Sequence, residues 1–465
     1  MEIRLALASA LRLCGNRAMS DVRDFGASGD GATDDTEAIR HAVSEGDGHL
    51  FFPKGNYRIS GTIELPLGAP GPRTVLGESG NASIHMHAAG PAFRMLGHHE
   101  GTGDPGSWTP EVWANERLPS FRHLVIEGHH PKADGIELDG VAQPLLEGLL
   151  VRRVHHGIRL VRRNRNVIVS HCHVYHNTGA GIFLDGVNLH QINISACHLS
   201  YNRLGGIRIE RSEIRNLQIT GNDIEYNNAR SHPGLTDEPT ADIYVDTTAP
   251  GATVNEVTIT SNTIQATHSP QGANIRIKES LEGTDRPPGL WSITGNVIGS
   301  QEVNVHLSGC YGIVLSGNTI YSCTKRNLLV EDSRLINITS NNFRRHSPKY
   351  GTGVRLERST DCLISSCQFN DEATNGQENK ASLLEVDSCQ RMNINGNQLL
   401  DGAPYGIDMN ASSDVRITNC MITEQREKKV AKGAVRITGL GERNHMSSNT
   451  LLGAVEIDES ANVGE

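Results

Sequence analysis

The sequence predicts an all-β chain wound into a right-handed parallel β-helix, a solenoid with an N-terminal capping helix. Three observations lead there. Thirteen short stretches read aliphatic–x–aliphatic–x, with first positions Ile136, Ile158, Ile182, Ile207, Ile243, Ile275, Val305, Leu328, Val354, Leu384, Ile407, Val435 and Val455. The partners two residues on are Leu138, Leu160, Leu184, Ile209, Val245, Ile277, Leu307, Val330, Leu356, Val386, Met409, Ile437 and Ile457. Successive stretches lie 20 to 36 residues apart, the self-similarity of a coil stacked on itself. Finally, Cys172, Cys197, Cys367 and Cys420 fall in one corner column with Asn222, Asn262, Asn296, Asn318, Asn341, Asn397 and Asn449. Cysteine alternating with asparagine reads as a stack of small side chains inside a turn, where an amide can bond the corner backbone.

The elements follow in order. Residues 1–60 are assigned to an N-terminal segment and capping helix, and 61–465 to the β-helix. Leu5 to Leu11 is apolar, but Glu2 and Arg4 precede it and no small-x-small cleavage site follows. A helix over the end of the solenoid is therefore favoured over a signal peptide, and the compartment stays open, secretion or a periplasm included. In Asp34-Asp35-Thr36-Glu37, Asp34 and Glu37 make a carboxylate variant of the capping box, and Ala38, Ile39, Ala42 and Val43 form an apolar helical stripe. This helix is expected to plug the open end of the coil, because an uncapped solenoid exposes core and strand edges. Phe51 to Arg58 reads as a strand and turn. His98 to Arg117, rich in glycine and proline, reads as a long loop carrying Trp108 and Trp113. From about residue 131 each coil has three strands, as in Gln218-Ile219-Thr220-Gly221-Asn222-Asp223-Ile224-Glu225, where the second strand meets the asparagine corner and the third. Parallel crossovers are right-handed, which sets the hand.

Composition narrows the function classes. A length of 465 residues would suggest about three domains, but a solenoid grows by adding coils. Forty-nine glycines and 4% aromatic residues suit tight corners around a small-aliphatic core. The net charge of −10 is spread along the chain, which argues against nucleic acid, and no run of eighteen apolar residues offers a membrane span. The odd count of nine cysteines argues against a disulfide framework. His85/His87, His98/His99/Glu100 and His129/His130 lack metal-ligand spacing, so no metal is expected there. Neither a phosphate-cradling glycine loop nor a nucleophile elbow is present.

The segment Asp24-Phe25-Gly26-Ala27-Ser28-Gly29-Asp30-Gly31, followed by Asp34-Asp35-Thr36-Glu37-Ala38-Ile39, resembles the lead-in of the pectate-lyase-type β-helix superfamily. That resemblance implies a right-handed β-helix and action on polysaccharide. The superfamily holds hydrolases, lyases, epimerases, fructan-cleaving transferases and phage tailspikes, so it does not fix a reaction. A homotrimer is left open on the same ground.

Strand neighbours alternate faces, so with the aliphatic pair inside the other two residues of each stretch point outward. Successive outward pairs are Glu137/Asp139, Arg159/Val161, Phe183/Asp185, Arg208/Glu210, Tyr244/Asp246, Arg276/Lys278, His306/Ser308 and Leu329/Glu331. Coils stack about 4.8 Å apart, which puts Asp185, Glu210 and Asp246 in one acidic column. Phe183, Arg208 and Tyr244 stand beside it. Three stacked carboxylates are expected to raise one another's proton affinity, giving the acid and base that glycosidic cleavage uses. Phe183, Arg208, Tyr244, Arg276, Lys278 and His306 are the candidate substrate-binding residues. The residue 226–241 insertion, the longest, is expected to wall the groove. The strand Arg276-Ile277-Lys278 after acidic coils is similar in outline to polygalacturonases. Phe183-Leu184-Asp185, Arg208-Ile209-Glu210 and Ile243-Tyr244-Val245-Asp246 all depart from that family's motifs, and only an acidic-sugar contact at Arg276 or Lys278 is carried over. A second acidic zone, Glu357, Glu385, Asp387 and Asp408, reads as surface charge.

The expected function is therefore cleavage of glycosidic bonds in a polysaccharide or oligosaccharide by Asp185, Glu210 and Asp246, without a cofactor. The alternatives are a uronate lyase or epimerase, a fructan-cleaving transferase, and a non-catalytic glycan-binding or tailspike-like module. In the lyase case Arg276 or Lys278 abstracts the proton and the three carboxylates hold calcium.

Overall fold

The computed structural model describes residues 19–464, apart from 69, 72, 102, 229, 231–238, 266, 267, 281–288, 348 and 372–380. The apolar stretch Leu5–Leu11, Cys14 and most of the 226–241 insertion thus lie outside the described residues. What is described is a parallel β-helix. Its first and second walls form a 30-stranded sheet and its third wall a 16-stranded sheet. One coil runs Gly205–Glu210, Glu213–Thr220, Asp223–Glu225, and every one of these strands pairs in parallel with its counterpart one coil on.

The aliphatic repeat is the core. Twelve of the thirteen pairs are 0–1% exposed. The last pair differs: Val455 and Ile457 are 40% and 44% exposed, because no further described coil stacks above them. At the other end α1 (Thr36–Glu45) buries Thr36, Ile39, Ala42 and Val43, so the apolar stripe plugs the coil as expected. The expected capping box does not form. Asp35, not Asp34, is the N-cap, and its carboxylate accepts from the amides of Ser28 and Gly29 at 2.6 and 3.1 Å, tying the lead-in loop to the helix. Asp34 Oδ1 accepts from the Thr36 amide and hydroxyl, and Glu37 turns to Arg40 at 2.7 Å. The second aspartate is needed by the loop before the helix can use it.

The corner column is hydrogen-bonded from coil to coil from Cys197 to Asn341 and again from Cys367. Asn262 Nδ2 donates to Ile219 O and Asn296 Oδ1 (3.0 Å each), while its own Oδ1 accepts from the Asn222 amide at 2.9 Å. Asn296 and Asn318 repeat the pattern, and Asn341 ends this run, accepting from Asn318 and donating to Leu315 O. Cys197, Cys367 and Cys420 take part by donating their backbone amides to the asparagine above. The residue before each position is left-handed, as at Gly221 (φ 64°) and Gly295 (φ 66°), which explains the repeated Gly-Asn pairs.

A second ladder went unrecognised in the sequence. It runs Asn177, Asn202, Asn227, Asp242, Asn274 along another corner. Asp242 is fully buried. Its Oδ1 accepts from Asn227 N and Nδ2 (3.1 and 3.0 Å) and its Oδ2 from Asn274 Nδ2 (3.0 Å). Burial with no cation at hand drives this carboxyl's pKa well up.

Two predictions follow from the ladders. Asn262→Ala strips four buried side-chain hydrogen bonds and strands the Asn222 amide, and should cost on the order of 3 kcal/mol or more in a denaturant melt. Unfolded, Asp242 titrates near the ordinary carboxylate range, whereas folded it holds its proton to higher pH. Its contribution is complete below about pH 4 and is lost as pH rises toward the raised folded value. Asp242→Asn should therefore match wild type at low pH and exceed it in thermal stability at neutral pH; equal pH slopes for the two proteins would refute this.

Candidate active site

The first wall stacks as the sequence register requires. Asp185 pairs with Glu210, Glu210 with Asp246 and Asp246 with Lys278; beside them Phe183, Arg208, Tyr244, Arg276 and His306 form the neighbouring column. All nine candidate residues thus lie on one wall within five successive coils.

Their environment corrects two expectations. Asp185 and Asp246 do not gain proton affinity from the stack, because cations are interleaved with the carboxylates. Asp185 accepts from Arg159 (2.5 Å) and Arg211. Glu210 lies between Arg208 and Arg211, whose Nη1 is 3.0 Å away. Asp246 accepts from Lys278 Nζ at 3.0 Å and from the hydroxyl and amide of Thr248 at 2.6 and 3.0 Å. Burial works to raise Asp185 and Asp246, but the arginines on the first and Thr248 with Lys278 on the second outweigh it, and both end below the ordinary aspartate value. Neither is set to act as a general acid near neutral pH.

The second correction concerns the aromatic residues. Phe183 and Tyr244 do point outward but are each only 6% exposed. The His156 ring covers Phe183 at 4.8 Å, and the Arg208 guanidinium lies 4.3 Å from the centre of the Tyr244 ring. Neither presents an open face to a sugar. What Tyr244 presents is its hydroxyl, 3.3 Å from Asp246 Oδ2, the same oxygen that Lys278 holds. Burial, with Asp246 nearby, raises its pKa and keeps the phenol protonated.

One coil on, Arg276 is 9% exposed and forms no ion pair with a carboxylate among the described residues. One Nη donates to Gln271 O, and Nε has no partner. One coil further, His306 Nε2 sits 2.6 Å from Glu331 Oε2. Burial lowers the pKa of His306 against the pull of Glu331, which favours the neutral ring. With Nε2–H directed at Glu331, Nδ1 carries the free lone pair. Tyr244, Arg276 and His306 are thus consecutive in one column: a protonated phenol, a buried cation without a carboxylate, and a neutral imidazole.

Sequence reasoning missed Arg211, which bridges Asp185 and Glu210, and Glu331 as the partner of His306. Arg211 is left-handed (φ 52°) and sits just past the repeat frame, so the alternation rule never addresses it. Its position directly after Glu210 was the available signal. Glu279 was missed too. Burial raises its carboxyl to about 8, but it is turned inward against Cys310, off the groove. The second acidic zone is paired as surface charge would be: Glu385 and Asp387 with Arg355 (3.0 and 2.7 Å) and Asp408 with Arg436 (2.5 Å). In the histidine clusters His85 Nδ1 meets His129 Nε2 at 2.8 Å, and no group of three metal-binding side chains occurs among the described residues.

Comparisons with known proteins agree with this architecture. Residues 19–89 match the family described as rhamnogalacturonase A/epimerase, pectate lyase-like. Among curated proteins, alginate lyase 7 of Azotobacter vinelandii is 49% identical over 53 residues, covering 10% of this chain and 6% of that protein. Mannuronan C5-epimerase AlgE3 of the same organism is 49% identical over 53 residues, covering 10% and 3%. The likeness is thus confined to a small part of each relative. Among solved structures, tailspike protein 3 of bacteriophage CBA120 aligns with a TM-score of 0.53 at 14% identity, over 90% of this chain and 59% of that one, a likeness of fold. Residues 115–224 and 280–451, more than half of the chain, match the family described as right handed beta helix region. The chain belongs to the right-handed β-helix family, with a pectate lyase-like lead-in.

Proposed function

We propose that the first wall binds a uronate-containing polysaccharide and removes the proton at C5, leading to β-elimination or epimerisation. The observation that carries this reading is Arg276. A guanidinium this buried without a carboxylate is costly, and an anionic ligand is what compensates it. Arg276 and Lys278 stand together on one coil, and of the two only Lys278 has a carboxylate ion pair among the described residues, with Asp246.

In this reading the substrate carboxylate lies on Arg276, with Lys278 beside it, and the two draw charge out of the C5 carbanion as it forms. His306 Nδ1 takes the C5 proton, while Glu331 fixes the ring and stabilises the imidazolium. The Tyr244 phenol, one coil to the other side of Arg276, supplies a proton. Delivered to the leaving oxygen it completes elimination; delivered to the opposite face of C5 it completes epimerisation. Acid and base stand about 10 Å apart along the column, room for a sugar ring between them. The side chains supply the positive charge that calcium would bring in the alternative arrangement on Asp185, Glu210 and Asp246. The lyase and epimerase named among the relatives are consistent with this chemistry.

The test is C5 deuterium exchange in D2O, with absorbance of the unsaturated uronate, on a panel of uronate polymers. Tyr244→Phe, His306→Gln and Arg276→Ala should each lower turnover by on the order of a hundredfold. Because burial lowers the His306 pKa, the rate should persist below the pH at which an ordinary histidine protonates, and fall only on further acidification. New reducing ends without exchange or absorbance would overturn the proposal and return the chemistry to Asp185, Glu210 and Asp246 as a hydrolytic set.

A further inference from the structure

We propose that the second wall carries a separate binding site for a neutral sugar ring, built by the loop 98–117 and independent of the first-wall reading. The loop leaves the first wall after Gly90–Leu96 and returns at Ser120–Arg122 on the second. In between it crosses the corner and reaches over later coils. The His99 amide donates to Gly140 O (3.1 Å), and Arg165 Nη1 donates to Asp104 O and Ser107 Oγ (3.0 and 2.9 Å). At Gly103 the approach is so close that an added Cβ would sit 3.3 Å from the His190 ring. Glu116 secures the far end, accepting from His98 N at 2.9 Å.

This anchoring holds an aromatic platform in place. Trp108 stacks on Trp113 at 4.8 Å and 29°, and the Arg165 guanidinium lies 5.1 Å from the Trp108 ring centre. Trp113, from the short helix α2 (Pro110–Asn115), is 47% exposed, more than any other Phe, Tyr or Trp among the described residues. An exposed indole pinned by stacking and cation–π contact loses little entropy on binding.

Gly103 of the same loop also lines a groove of about 300 Å³, together with Asn188, His190, Glu213, Arg215 and Glu256, one coil on from the Arg165 that covers Trp108. The groove follows the register: Arg165, His190 and Arg215 lie on three successive coils. The His190 Nδ1 atom is buried without a partner. The lining combines the carboxylates of Glu213 and Glu256 with an amide and a guanidinium, and so matches hydroxyl groups that donate and accept in turn. Its size is at the lower end of ligand sites and suits one or two sugar rings. In this proposal Trp113 takes the apolar face of one pyranose of an oligosaccharide and the groove the hydroxyls of another.

The full chain offers a direct readout, because Trp291 is buried and Trp113 is the most exposed of its three tryptophans. Intrinsic fluorescence would be titrated with cellohexaose, mannohexaose and maltohexaose up to about 10 mM, a range that captures weak single-site binding. At least one should give a saturable change, weakened about tenfold or more by Trp113→Ala and by Arg215→Ala, and unaltered by Arg276→Ala. No saturable change with any hexaose, a response confined to uronate oligomers, or wild-type binding by both second-wall variants would overturn the proposal. Loss on Arg276→Ala would assign the signal to the first wall instead. Calorimetry on the same variants, with circular dichroism to verify folding, separates loss of the site from loss of structure.

Discussion

Parallel in-register stacking is the constraint from which the rest of this structure follows. Every side chain sits above its counterpart one coil down, about 4.8 Å away, and whatever occupies a position must tolerate a near-copy of itself at that distance. Aliphatic side chains do so by dispersion and burial, and asparagines by passing one hydrogen bond up the column. Carboxylates do not. Wherever two acids are stacked on the first wall, the fold brings an arginine or lysine between or beside them, as Arg211 does for Asp185 and Glu210.

That constraint explains what could be read from the sequence. The aliphatic pairs and the Asn/Cys corner repeat on every coil, so each adds to a pattern, and register then follows by counting. The nine first-wall residues fall into adjacent columns for that reason. What could not be read depends on residues that occur once. Arg211 lies beyond the frame, and the stacking of His156 on Phe183 depends on a turn residue from the previous coil. The second ladder was hidden because its members fall at unequal spacings and one of them, Asp242, is not an asparagine. The double aspartate before α1 misled for a related reason: the lead-in loop and the helix compete for the same carboxylates, and only geometry decides between them.

The electrostatics of the wall also separate what the acids do from what the column beside them offers. Asp185 and Asp246, held below the ordinary aspartate pKa, act as a scaffold that fixes Arg159, Arg211 and Lys278 in place. The reactive character belongs to the groups that this scaffold leaves uncompensated or uncharged. Arg276 has no carboxylate ion pair among the described residues, Tyr244 keeps its proton, and His306 is biased toward neutrality. A dense row of opposite charges can therefore support chemistry by what it immobilises.

The eight cysteines among the described residues are all buried and none forms a disulfide, a distribution that runs from Cys172 near one end of the regular coils to Cys420 near the other. Packed thiols of this kind stay inert toward alkylating reagents until their own coil opens. The chain thus carries built-in reporters of local unfolding along its axis. Since a solenoid's stability is set coil by coil, the order in which these thiols become reactive would reveal from which end the helix unravels.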